Sequence, residues 1–124
     1  MTAYAARDLP PRDAPLPLEA LPRDEEGFLL DARDWYPALA DAIAAEAGQP
    51  LGDEHREVVR YIRDHFESTG QVPEARKLLK HLQEVWGKEK ATRRYLYQLF
   101  PRGYGQVACK IAGMRKPRKL MLDV

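Results

Sequence analysis

The chain has 124 residues, 44% of them hydrophobic, which suits one domain built round a single core. One cysteine cannot close an intramolecular disulfide, no window reaches the roughly 20 apolar residues of a membrane helix, and no secretory leader pattern opens the chain, so a cytoplasmic protein is expected. The formal net charge of +1 conceals a polarity, because residues 1–55 hold 4 Lys/Arg against 12 Asp/Glu and residues 56–124 hold 16 against 7; the basic half faces anionic partners.

Residues 1–13 carry Pro10 and Pro11 among alternating charges, without apolar periodicity, and are expected to be a flexible lead-in. A single domain is expected over 14–113 and a flexible basic C-terminal arm over 114–124. Leu16, Leu18 and Ala20 alternate, residues 22–27 are turn-prone, and Phe28, Leu29 and Leu30 follow. This pattern predicts a short N-terminal β-hairpin, with Pro15 and Pro17 confining its first strand to an edge.

Asp34 is the expected N-cap of a first helix with Trp35, Leu39 and Ile43 on one face, ended by Gly48 and Pro50. A second helix is expected from Asp53 to Gly70, burying Val58, Val59, Ile62 and Phe66. Pro73 fits the first position of a third, whose Ala75, Leu79, Leu82 and Trp86 stop at Gly87. A fourth runs from about Glu89 to Phe100, ahead of Pro101, and a fifth from Gly103 to about Gly113. Short connections imply a mainly α, compact orthogonal bundle of about five helices.

Along the last helix, Tyr104, Val107, Ala108 and Ile111 form an apolar side, and Gly105, Cys109, Ala112 and Gly113 form an adjacent strip of small residues. Small neighbours should leave the Cys109 thiol reachable. Lys110, Arg115, Lys116, Arg118 and Lys119 lie close in sequence, and nearby cations favour the nucleophilic thiolate. The plain alternative is that Cys109 is a small core residue, since cysteine is among the most buried types. The basic tail is equally a solvated terminus or a docking arm.

His55, His65 and His81 have no metal-ligand spacing, and no phosphate loop or acyl-transfer signature is present, so no metal and no cofactor are expected. Trp35, Trp86 and the tyrosines read as core. Lys77, Lys80, Lys88, Lys90, Arg93 and Arg94, with Tyr95 and Tyr97 between them, make a nucleic-acid surface conceivable, but near-neutral net charge does not favour it.

The run Asp24-Glu25-Glu26-Gly27-Phe28-Leu29 with Asp34-Trp35, then Gly87-Lys88-Glu89-Lys90, Tyr95-Leu96-Tyr97 and Leu99-Phe100-Pro101, and finally Ala108-Cys109-Lys110-Ile111-Ala112-Gly113 with Lys116-Pro117 resembles the DsrC/TusE family. That family includes the gamma subunit of dissimilatory sulfite reductase. The resemblance covers roughly residues 24–119. It implies partners of the sulfur-relay or sulfite reductase type and a persulfide-bearing cysteine on the C-terminal arm. It also implies that Cys109 matches an upstream cysteine which, in DsrC itself, joins the arm cysteine in a disulfide or trisulfide. Eleven positions beyond Cys109, where the arm cysteine belongs, stands Leu120.

The expected function is therefore a DsrC-like sulfur-metabolism protein with a single redox-active cysteine, partner-binding or regulatory, and not an autonomous enzyme. In that role Cys109 is the persulfide or redox candidate, while Lys110, Arg115, Lys116, Arg118 and Lys119 dock the partner. The alternatives are a TusE-type carrier for tRNA thiolation or a sulfite reductase-associated subunit, and a nucleic-acid-binding regulator.

Overall fold

The structure, a computed structural model, describes residues 16–116. The expected lead-in over 1–13 and most of the expected arm, with Arg118 and Lys119, lie outside the described residues. Five helices make up most of the remainder: α1 (Pro37–Ala47), α2 (Asp53–Thr69), α3 (Ala75–Trp86), α4 (Arg93–Leu99) and α5 (Tyr104–Ile111).

The expected β-hairpin does not form. Residues 18–20 are a turn of 3-10 helix, no strand occurs among the described residues, and one isolated antiparallel bridge joins Arg23 to Leu29. Pro15, Pro17 and Pro22 lack the N–H groups that a ladder needs. What survives is a local turn: the Asp24 carboxylate accepts from the backbone N–H groups of Glu26 and Phe28, each at 2.9 Å, and Asp24 N–H donates to the Phe28 carbonyl. The turn still buries Phe28 and Leu29, both 1% exposed.

Asp34 does not cap α1. It ends a second 3-10 turn, 32–34, whose N-cap is Asp31, and the helix begins at Pro37, where a proline ring presets φ and the missing donor is harmless. Similarly, α3 starts two residues after Pro73, and α4 starts at Arg93 rather than Glu89 because the Thr92 hydroxyl accepts from Tyr95 N–H. The glycine ends fall as expected, with Gly48 and Gly70 left-handed at φ 70° and 77°.

α5 packs against α1, α2 and α4, so it occupies the middle of the molecule. Leu39, Ile43, Val58, Ile62, Leu78, Leu82, Leu96 and Phe100 share one core cluster with Tyr104, Ala108 and Ile111 of α5. No helix of the described residues is long and apolar enough to cross a membrane.

Candidate functional site: the end of helix α5

Tyr104, Ala108 and Ile111, the expected apolar side, are fully buried, and Val107 is partly buried against the core. The strip of small residues is buried too, for Gly105, Cys109, Ala112 and Gly113 are all inside. Cys109 has 0% exposure. The expectation that small neighbours keep the thiol open is therefore corrected: a helix that is small and apolar on most of its circumference invites neighbours on every side, and at Gly113 the Trp35 side chain approaches within reach of where a Cβ would stand.

The helix ends in a Schellman arrangement. Gly113, at φ 81°, donates its N–H to the Lys110 carbonyl at 3.1 Å, and Met114 donates to the Cys109 carbonyl at 3.0 Å. Met114, 1% exposed, belongs to the same core cluster as Cys109. Cys109 thus lies inside the turn that this cap closes, and its own carbonyl is part of the device that stops the helix.

The last carbonyls, which a helix cannot satisfy itself, are taken by two side chains from elsewhere. Trp35 Nε1 donates to the Ile111 carbonyl at 2.9 Å, and Arg63 Nη1 donates to the Ala112 carbonyl at 3.1 Å. Arg63 is only 8% exposed. Its other donors reach the Ala32 carbonyl at 2.9 Å and the Glu67 carboxylate at 2.7 Å, and its guanidinium lies 4.6 Å from the centre of the Trp35 ring. One cation thereby joins α2, the 32–34 turn and the exit of the chain from α5.

Sequence reasoning missed Arg63. The available signal was an arginine four residues after Val59 and between Ile62 and Phe66, on the side of α2 that is otherwise apolar.

Of the expected docking residues, Lys110 is half-buried with its Nζ 5.1 Å from the centre of the Phe28 ring, and Arg115 is exposed. Lys116 is exposed and pairs with Glu26 at 2.6 Å, which holds its ammonium above the usual lysine range through that hydrogen bond. Arg23 pairs with Glu46 at 2.5 Å and ties the acidic turn to α1. The basic residues of α3 and α4 are exposed, apart from the tie of Lys90 and Tyr95 to Glu54 on α2, which depresses the Glu54 pKa chiefly through the Lys90 hydrogen bond. The histidines stand apart. His55 accepts at Nδ1 from Gly52 N–H and contacts the Leu99 carbonyl through Nε2, whereas His81 pairs with Glu57 at 2.7 Å and stacks on Tyr61.

A family model described as DsrC like protein matches residues 18–121. The sulfurtransferase TusE of Salmonella typhimurium is 46% identical over 96 residues, covering 77% of this chain and 88% of the relative. TusE of Yersinia pestis is 42% identical over the same shares. The crystal structure of the oxidized gamma-subunit of the dissimilatory sulfite reductase (DsrC) from Archaeoglobus fulgidus superposes with a TM-score of 0.73 at 36% identity, over 80% of this chain and 90% of that one. The NMR structure of Allochromatium vinosum DsrC gives 0.69 at 38% identity, over 78% and 87%. With the family's fold, its separated motifs in order and these relatives, the chain belongs to the DsrC family.

Proposed function

We propose that this protein serves sulfur metabolism in the cytoplasm as a partner-docking member of the DsrC family, not as an autonomous catalyst. Its partners are of the sulfur-relay or sulfite reductase type, the settings that its relatives' names carry. The observation behind this reading is the position of sulfur: Cys109 has 0% exposure, and Leu120 stands where a terminal carrier thiol would be. Fold and basic C-terminal residues are retained, while the one thiol is enclosed. Lys110, Arg115, Lys116, Arg118 and Lys119 supply the electrostatic contact in this reading.

Binding to a dissimilatory sulfite reductase and to the sulfur-relay partners of a TusE relative, measured at increasing salt, tests it. Arg115→Glu with Lys116→Glu should lower affinity and flatten the salt dependence, while Cys109→Ala should bind as the parent does. Loss of binding in Cys109→Ala alone would sink the docking reading.

A second reading keeps Cys109 as a concealed thiol that senses redox or sulfane-sulfur state, or carries sulfur onward as the TusE relatives' name suggests. It draws support from the position of Cys109 in the last turn of α5, whose carbonyl takes the Met114 N–H of the cap, so that opening of this helix end would loosen the surroundings of the thiol. The thiolate would then take a sulfur atom from a polysulfide, which leaves one sulfur shorter. Intact mass after polysulfide treatment, with Cys109→Ser as control, checks the acceptance step, and onward transfer of labelled sulfur separates a carrier from a sensor.

A further inference from the structure

On α2 the exposed cations are neutralised, for Arg56 pairs with Asp41 and Arg60 with Glu57. Lys90 and Tyr95 are likewise drawn onto Glu54. Lys88, Arg93 and Arg94 differ: all three are exposed, and among the described residues none has a carboxylate partner. Lys88 stands just ahead of α4, in the turn that Ala91 N–H closes by donating to the Gly87 carbonyl at 3.1 Å. The near-neutral charge of the whole chain does not describe this surface, since residues 56–124 hold 16 Lys/Arg against 7 Asp/Glu.

α4 buries Leu96 and ends at the buried Phe100, and its opposite side, with Arg93, Arg94, Tyr97 and Gln98, faces solvent. At about 100° per residue, Tyr97 falls between Arg93 and Arg94 in direction, one turn further along the helix. Tyr97 keeps 42% exposure, a large value for an aromatic side chain. Its ring meets Tyr104 in a T-shaped contact with centroids 5.1 Å apart, which occupies at most one of its two faces. What is left is an aromatic face flanked by two guanidinium groups that hold no carboxylate among the described residues.

We propose that Lys88, Arg93, Arg94 and Tyr97 bind single-stranded nucleic acid, with the three cations on backbone phosphates and the Tyr97 ring against an unstacked base. Sites for single strands combine a basic track with an aromatic platform, and every base offers a π face to the platform. An acidic peptide would use the charges and leave the ring bare, while a duplex keeps its base faces inside the stack. The surface stands at the start of α5, where Tyr97 meets Tyr104, whereas Lys110, Arg115 and Lys116 stand at or beyond its other end. The two surfaces are thus separate, and either can be lost without the other.

Fluorescence anisotropy of labelled oligouridylate and oligothymidylate with the full chain tests this, beside a duplex of the same length and polyglutamate. At least one of the single strands should bind more tightly than the duplex and the polyglutamate. The slope of log affinity against log salt should be about −2, for three phosphate contacts on a single strand. Arg93→Gln with Arg94→Gln should flatten it to about −0.7, whereas Arg115→Gln with Lys116→Gln, which removes the same charge at the far end of α5, should leave it near the parent's. Tyr97→Leu should weaken binding roughly fivefold or more, and Tyr97→Phe, which keeps the π face, should retain it. No binding at low salt, a duplex or polyglutamate bound as tightly as the single strands, equal losses from the two charge-removing pairs, or indifference to Tyr97→Leu each overturns the proposal.

Discussion

A Cβ placed on Gly113 would lie 2.3 Å from Cδ1 of Trp35, in a backbone conformation, φ 81°, that side chains rarely adopt. Steric exclusion and left-handed geometry thus both require glycine where the chain turns out of α5. Gly113→Ala should lower stability by about 2–4 kcal/mol from the two effects together. The midpoint of urea unfolding measures it, and a midpoint within experimental error of the parent's would show that the turn relaxes freely.

The same turn ends the helix that carries the buried Cys109. In native buffer Cys109 should react with an aromatic disulfide reagent at least about a hundredfold more slowly than in denaturant, because opening must precede attack. Gly113→Ala should accelerate native labelling more than an equally destabilising change in α3, such as Leu79→Ala, does. Equal acceleration would mean that only global unfolding exposes the sulfur.

Arg63 is predicted to be worth more than its one carboxylate partner suggests. Arg63→Met leaves the Ala112 carbonyl without this donor, while the Ala32 carbonyl keeps the Trp35 N–H at 3.3 Å, and should cost about 1–3 kcal/mol for the one buried acceptor. Arg63→Lys should recover only part, since an ammonium cannot reproduce the planar fork. Thermal unfolding of both variants gives the order parent, lysine, methionine.

Acid should weaken the fold through Glu46 and Glu54, whose pKa values are lowered from 4.5, first by hydrogen bonds from Arg23 and from Lys90 with Tyr95 respectively. A lowered folded-state value means that the stabilisation is complete above the unfolded pKa and is lost as pH falls through the folded one. Stability should thus hold near neutrality and decline below about pH 4.5. Glu54→Gln should reduce the acid slope; an unchanged slope between pH 5 and 3 would count against the Lys90 and Tyr95 contacts.

The helices were legible where the governing physics is local. Gly48, Gly70 and Gly87 stop helices because their backbones take positive φ, and the apolar spacing of α2 from Val58 to Ile62 survives folding unchanged. The hairpin was misread because alternation at Leu16, Leu18 and Ala20 says which residues are apolar, not whether prolines leave donors for a ladder. The starts of α1 and α4 were misplaced by a few residues, as caps compete: Asp34 lost to Tyr36 and Pro37, and Thr92 displaced Glu89.

The amino-acid order alone determined the helical elements, the motifs of the family and the leucine at position 120, since each is a matter of residue identity at short range. Only the tertiary structure decided that Cys109 is enclosed and that Trp35 and Arg63 finish α5. Those partners lie 76 and 49 positions from the carbonyls they bond. Burial and capping at such separations depend on how α2 and α5 come together, which no local spacing encodes.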